Sequence, residues 1–356
     1  MTSKNSTFIR PITFYGYRDL FSQRESYPVP RQNKMFCIAI HVAENAGGLM
    51  TMAGTKKKRL LLIALSGFIA LFLAGGSYAF TVYHSLSKAA DTMHAPIERV
   101  QSPKRVKQAT IEKQQPFSVL LLGVDEREGD RGRTDSMIVL TINPNLSSVK
   151  MVSIPRDTRT VIAGRGGEDK INHAYAFGGV EMAMETVEQF FDIPIDYYVK
   201  VNMEGFSGLV DAVGGVTVTN PFAFTYGEDQ FSKGEIALDG ESALNYARMR
   251  YEDPKGDFGR QERQRAIIKS VLDKGASISS LANFDKISAE LGQSIKTNLT
   301  VDQMVGIATN YKGAAKNIYQ IELNGTGKKI NAIYYYLVPE EERQRVQAEL
   351  KQHLKL

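Results

Sequence analysis

Apolar residues in this chain fall into one long block and a series of short ones. The long block, Leu60 to Phe80, holds 21 residues without a charge. As a helix it would reach roughly 30 Å, the thickness of a bilayer's hydrocarbon core. The short runs have other periods. Val119-Leu120-Leu121-Leu122 is continuous and ends at Gly123, as a strand buried on both faces would. Ser136 to Ile142 is a second such run, stopped by Asn143-Pro144-Asn145, and Val149 to Ile154 a third, stopped by Pro155. The turn between them predicts a hairpin. Val180, Ala183, Met184, Val187, Phe190 and Phe191 recur at helical spacing, predicting a helix over 180–191. A strand follows at Tyr197–Val201 and a helix at Glu204–Val213, closed by Gly214-Gly215. Val216–Val218 reads as a strand. Asp239 caps a helix through Arg248, and Gly259–Lys274 forms a longer one. Helical patterns at Ser279–Ile295 and Val301–Tyr311, a strand at Ile318–Leu323 and a last helix from Pro339 complete the chain. Strands and helices alternate, so the expected class is α/β, a central mixed β-sheet flanked by helices.

Charge divides the chain further. Lys56-Lys57-Lys58-Arg59 precedes the apolar block and predicts a cytoplasmic N-terminal side, with the rest outside. Cleavage after the small-x-small site Ser77-Tyr78-Ala79 is the rival to an uncleaved anchor. Four regions result. Residues 1–55 are a leader, either a cytoplasmic tail or an over-extended start ahead of Met50 and Met52. Residues 56–80 are the basic cluster and transmembrane anchor, 81–116 a polar extracellular stalk, and 117–356 the folded domain. The single cysteine, Cys37, excludes an intrachain disulfide. The net charge of +5 suits an anionic partner and selects none.

Two charged blocks carry the candidate chemistry. The first, Phe117 to Met137, places Asp125 just after a buried strand and Asp135 ten residues on, across a loop rich in arginine and glycine. Sites in α/β proteins gather at the carboxyl ends of strands. Two carboxylates with phosphate oxygens suffice for Mg²⁺. The plainer alternative is a solvated loop whose charges pair among themselves. The second block, Tyr246 to Gln264, contains Arg248, Arg250, Arg260 and Arg263. Arg260, Arg263 and Gln264 lie at i, i+3, i+4, on one expected helix face, with Ile267, Ile268 and Val271 as its buried stripe. Guanidinium forks at a helix N-terminus suit a phosphate or diphosphate. Arg156 and Asp157 close the third apolar run, and Lys170 and Asn172 stand before a helix. His173 reads first as a structural histidine. No Cys/His spacing suits zinc, no G-x-x-x-x-G-K-[S/T] loop or G-x-S-x-G elbow occurs, and the cations do not interleave with aromatics as in nucleic-acid binders.

The segments GVDER, RTDSMIVLTINP, SIPRDT, KINHAYAFGG, LVDAVGGV, LDGESALNYARMR and DFGRQERQ resemble, in order, the LytR-CpsA-Psr family of Gram-positive bacteria. The resemblance is dense over Phe117–Lys274 and loose beyond. It implies an α/β fold with an apolar pocket for a polyprenyl chain, on a single-pass cell-membrane protein with an extracellular domain. The implied activity is phosphotransfer of an anionic glycopolymer, such as wall teichoic acid, from an undecaprenyl-diphosphate carrier to a muramic acid hydroxyl of peptidoglycan. Asp125 and Asp135 would hold Mg²⁺ (or Mn²⁺). Asp125, Arg156, Asp157, Arg248 and Arg250 are the implied catalytic set. Arg127, Arg133, Lys170, Asn172, Arg260, Arg263 and Gln264 are the implied diphosphate contacts. The alternatives are a polyprenyl-phosphate-binding protein without turnover and a regulatory one. An outward domain without a DNA-reading helix argues against nucleic acid as partner.

Overall fold

The computed structural model describes residues 56–99, 101–126, 132–275 and 291–356. The chain divides into units 1–76 and 77–356. Helix α1 spans Lys56–Met93. Several of its large apolar side chains are exposed, Leu60 at 74%, Leu71 at 76% and Phe72 at 74% among them. Among the described residues no helix is long and apolar enough to cross a membrane. The side chains of Leu62 and of residues 78–80, inside the apolar block, lie outside the described set.

A six-stranded sheet centres the second unit. Its strands are β1 (Phe117–Val124), β2 (Thr134–Asn143), β3 (Ser148–Ile154), β6 (Tyr197–Val201), β11 (Ile295–Thr297) and β12 (Ile318–Ile321), in the order β11-β6-β1-β2-β3-β12. Strand β1 runs antiparallel to β2 and parallel to β6; β2 and β3 form the expected hairpin. Both faces are covered, which is why the apolar runs are continuous rather than alternating. Leu120, Leu122 and Val124 join a core containing Val187 and Phe191 of helix α2 (His173–Phe191) and Val346 and Leu350 of the C-terminal helix (Glu340–Leu354). Phe117, Val119 and Leu121 face the other way, toward Ile111, Leu299 and Tyr311. A third cluster joins helices α3 (Met203–Ala212), α4 (Gly240–Arg248) and α5 (Asp257–Gly275) to the ribbon β7–β10 (Val216–Asn220, Gly234–Leu238). Smaller ribbons are β4–β5 (Arg159–Val161, Glu168–Lys170), β8–β9 (Phe224–Tyr226, Asp229–Phe231) and β13–β14 (Thr326–Ile330, Ile333–Leu337).

Two expectations differ from this. Residues 81–116, read as a stalk, pack largely on the domain. Ala90, Met93, Ala109 and Ile111 are buried. Arg99 pairs with Glu188 at 2.5 Å and Arg105 with Asp196 at 2.5 Å. Their polar composition conceals arginines whose partners are distant in sequence. The helix expected over 279–295 falls mostly outside the described residues. Its end is a short turn, Leu291–Ser294, and Ile295 already belongs to β11.

Candidate active site

Strand register assembles the first charged block. Strand β1 delivers Asp125 just past its carboxyl end, and β3 delivers Arg156 past its own. Met137 stands opposite Ile154. Carried two residues on, that register sets Asp135 against Arg156, and the two form a salt bridge. The Asp125 amide donates to the Arg133 carbonyl at 3.4 Å, closing the charged loop. Gly132 permits that closure. Its φ is +67°, and a Cβ there would collide with the Asp125 carbonyl.

The second block arrives on α4 and α5. Asp239 caps α4 with a reciprocal Ser242 capping box. In α5, Arg260 approaches Asp257 at 2.7 Å and the Asp135 carbonyl at 3.3 Å. It therefore joins the two blocks, which are 125 residues apart in sequence. Burial is the main influence lowering the Arg260 pKa, and neighbouring Arg156 and Arg250 add to it against the pull of Asp257 and Asp135. Arg156 is half-buried, which works against its charge, but its hydrogen bond to Asp135 and the nearby carboxylates outweigh this and raise its pKa. Arg260 is thus a largely buried cation with Asp257 as its ion-pair partner, and an arriving anion would add to that compensation.

Asp135 and Arg260 also line a cavity of about 260 Å³ between the sheet and helices α3, α4 and α5. Asp125, Asp135, Arg248 and Arg260 supply its charged groups, and Asn202 and Gln264 its side-chain amides. Its walls are otherwise mostly aliphatic, with Val199, Phe206, Leu209, Ile267, Ile268 and Val271 among them. At the mouth, Arg260 Nε and Gln264 Oε1 are buried and lack a protein partner. Unpartnered buried polar atoms are costly, so they mark where a ligand would bond. The donor set also fits a divalent ion arriving with phosphate. Asp125 and Asp135 line one mouth, and among the described residues no cluster of three metal-ligating side chains offers an all-protein cage.

Not every expected residue gathers there. Arg263 is 3% exposed and turned away. It pairs with Asp253, donates to the Tyr246 carbonyl at 2.9 Å and also bonds the Met249 carbonyl. Helix geometry explains the split. Positions i+3 and i+4 fall on opposite sides of position i, about 100° apart, so Gln264 reaches the cavity and Arg263 the core. Arg250 lines a second cavity, beside Asp157, and sits 3.9 Å from Asp257. Asp157 is held by Lys170 at 2.7 Å. Asn172 is buried, with its Oδ1 unpartnered, at the start of α2. Arg133 is exposed, and Arg127 lies outside the described residues. His173 Nδ1 donates a hydrogen bond to the Asp169 carboxylate, 2.8 Å away, and the residue lines neither cavity. Sequence reasoning missed Asp257, which links Arg250 to Arg260. Its only signal was its place in the first turn of an arginine-headed helix.

An apolar slot lined in part by arginines and carboxylates has the chemistry to suit an amphiphile with an anionic head. The chain belongs to the LytR-CpsA-Psr family, whose profile matches residues 80–352. It is 51% identical over 300 residues to the polyisoprenyl-teichoic acid–peptidoglycan teichoic acid transferase TagU of Bacillus subtilis, covering 84% of this chain and 97% of that protein. Among solved structures it resembles TagT bound to LIIa-WTA, with a TM-score of 0.65 and 34% identity over 74% of this chain and 100% of that one. It also resembles a protein from Enterococcus faecalis described as a transcriptional regulator, with a TM-score of 0.65 and 41% identity over 70% of this chain and 91% of that one.

Proposed function

We propose that this chain is a membrane-anchored transferase of the Gram-positive cell envelope. It moves an anionic glycopolymer, of the teichoic acid class, from a polyprenyl-diphosphate carrier to a muramic acid hydroxyl of peptidoglycan. The observation that carries this reading is the aliphatic cavity whose mouth joins Asp125, Asp135, Arg248, Arg260 and Gln264. The names of the relatives support it: TagU is a teichoic acid transferase acting on peptidoglycan, and TagT was solved with LIIa-WTA bound. The basic cluster that opens α1, Lys56 to Arg59, and the exposed Leu60, Leu61, Phe68, Leu71 and Phe72 support the anchor, with the N-terminus cytoplasmic and the domain outside.

In this reading the aliphatic walls take the polyprenyl tail, each buried CH₂ contributing about 0.8 kcal/mol. Arg260 and Gln264 meet the diphosphate with the Nε and Oε1 that lack protein partners. Arg248, exposed at the mouth, adds a second guanidinium. Arg156 orients Asp135 through their salt bridge. Asp125 and Asp135 are the residues that would hold Mg²⁺ or Mn²⁺, which when bound neutralises diphosphate charge and polarises the phosphoryl group. Phosphoryl transfer needs little more than such positioning and charge stabilisation.

The test is turnover. The full chain in detergent is mixed with a labelled polyprenyl-diphosphate-linked polymer and uncrosslinked peptidoglycan. A covalent polymer–peptidoglycan phosphodiester is expected. Tight donor binding with no product would reject transfer and leave a carrier-binding protein.

A further inference from the structure

A transfer reaction has two substrates, and the cavity just described accounts for one. A second cavity, of about 320 Å³, is lined by Pro155, Asp157, Arg250, Lys255, Asp257, Phe258, Tyr334 and Tyr336. Its character differs from the first. Three aromatic rings share it with two carboxylates and two cations. Phe258 is 42% exposed and Tyr334 44%, so both rings present area to solvent. Ion pairs join the two cavities. Asp157 and Asp135 both reach Arg156, and Asp257 stands between Arg250 and Arg260. One layer of charged side chains therefore separates a ligand in this cavity from the mouth of the first.

The rings are held in place. Ribbon β13–β14 docks through the Tyr336 amide, which donates to the Asp157 carbonyl at 2.8 Å. The Tyr336 hydroxyl donates to the Leu323 carbonyl at 3.1 Å, and the Tyr336 ring packs on Phe258 with centroids 5.3 Å apart. Across the ribbon Gly327 leaves room for the Tyr334 ring, which a Cβ there would strike. Exposed, fixed aromatic faces flanked by charged hydrogen-bonding groups suit a sugar. The apolar face of a pyranose stacks on a ring, its hydroxyls reach carboxylates, and carboxylates on the glycan share Lys255 with Glu262, 2.7 Å from it, and Arg250 with Asp257, 3.9 Å from it.

We propose that this second cavity is the acceptor subsite and binds an N-acetylated amino-sugar strand bearing carboxylates, with Tyr334 as its stacking platform. The inference rests on the transferase reading for the word acceptor; the sugar-binding claim stands by itself. Tyr334 and Lys255 act here by binding, outside the diphosphate clamp.

The full chain in detergent is titrated calorimetrically with a soluble, uncrosslinked oligosaccharide of alternating N-acetylglucosamine and N-acetylmuramic acid. Binding is expected. Tyr334→Ala should weaken it about fivefold, the worth of one aromatic contact, while Tyr334→Phe stays close to wild type. Lys255→Ala, at a side chain 63% exposed, should weaken it by a factor that shrinks as salt is raised. In the transfer reaction Tyr334→Ala should raise KM for the acceptor and leave KM for the lipid-linked donor unchanged. No binding by the wild-type chain at millimolar oligosaccharide overturns the subsite, as does wild-type affinity in both Tyr334→Ala and Lys255→Ala. Oligosaccharide binding that depends on Tyr334, with no turnover, sustains the subsite and rejects the transferase. Turnover with an acceptor KM indifferent to both variants does the reverse.

Discussion

Exchanging each of two neighbouring arginines of α5 for lysine should give opposite results. Arg263 is 3% exposed and makes a salt bridge to Asp253, itself 3% exposed, and bonds to two carbonyls, Tyr246 and Met249. Lysine keeps the charge but cannot span three acceptors that a planar fork reaches. Arg263→Lys leaves at least one buried carbonyl unsatisfied and weakens a buried ion pair, at a cost of about 3 kcal/mol. For a domain of this size that lowers the melting temperature by roughly 6–12 °C. Arg260 is different. In the free protein its Nε has no partner, and its contacts are Asp257 at 2.7 Å and one long bond at 3.3 Å to the Asp135 carbonyl. Lysine there keeps the charge beside Asp257 and breaks no bond at Nε, so the melting temperature should move by less than about 2 °C. Transfer depends instead on a fork meeting phosphate oxygens, and losing one charge-assisted bond of about 2 kcal/mol should slow it about thirtyfold. Thermal unfolding and the transfer rate per folded molecule are measured on the same two preparations. An Arg260→Lys protein that is destabilised yet fully active, beside a stable and inactive Arg263→Lys, would refute the division of the two arginines between cavity and core.

Burial holds the His353 pKa down to about 4 from 6.5, with nearby Lys150 adding to the effect. The unfolded chain then binds the extra proton first, so stability should fall as pH drops from about 6.5 to 4, by roughly 3 kcal/mol in all. Urea midpoints across that range should fall more steeply for wild type than for His353→Gln, and equal slopes would contradict the burial argument. Asp125→Asn and Asp135→Asn should each abolish transfer with the fold retained, and EDTA should do the same reversibly; full activity under all three conditions rejects the metal role. Gly132→Ala forces a side chain against the Asp125 carbonyl at a left-handed backbone position and should lower transfer at least tenfold. Near wild-type rates would show that the loop closes without this glycine.

Much of the sheet was legible because its strands carry simple punctuation. The runs ended by Gly123, by Asn143-Pro144-Asn145 and by Pro155 are β1, β2 and β3. The hairpin they form also makes the Asp135–Arg156 ion pair intelligible, since its register brings the two together. Ribbon β13–β14 left no such trace. Its first strand, Thr326–Ile330, is polar and exposed, and its turn uses Asn331-Ala332 at φ of 52° and 65° where Asn-Gly would be the recognisable signal. The aromatic cavity was therefore invisible in sequence. The aliphatic cavity was half visible. Ile267, Ile268 and Val271 were expected as a buried stripe, and they line it, but nothing in the pattern distinguished a wall from a filled core. Arg263 misled because an i, i+3, i+4 grouping treats a 100° arc as one face. On a helix whose one side meets a cavity and whose other meets Phe224 and Tyr246, that arc spans both.

The central proposal is that a polyprenyl diphosphate lies in the 260 Å³ cavity with its head near Arg260, Asp125 and Asp135. Photocrosslinking tests it most directly. The full chain in detergent is irradiated with a polyprenyl diphosphate carrying a diazirine in the third isoprene unit, and the labelled residues are read by mass spectrometry. The label is expected on Phe206, Leu209, Ile267, Ile268 or Val271, and it should be competed away by unlabelled polyprenyl diphosphate. A label confined to the exposed leucines of α1, or spread without competition over the surface, would contradict the account.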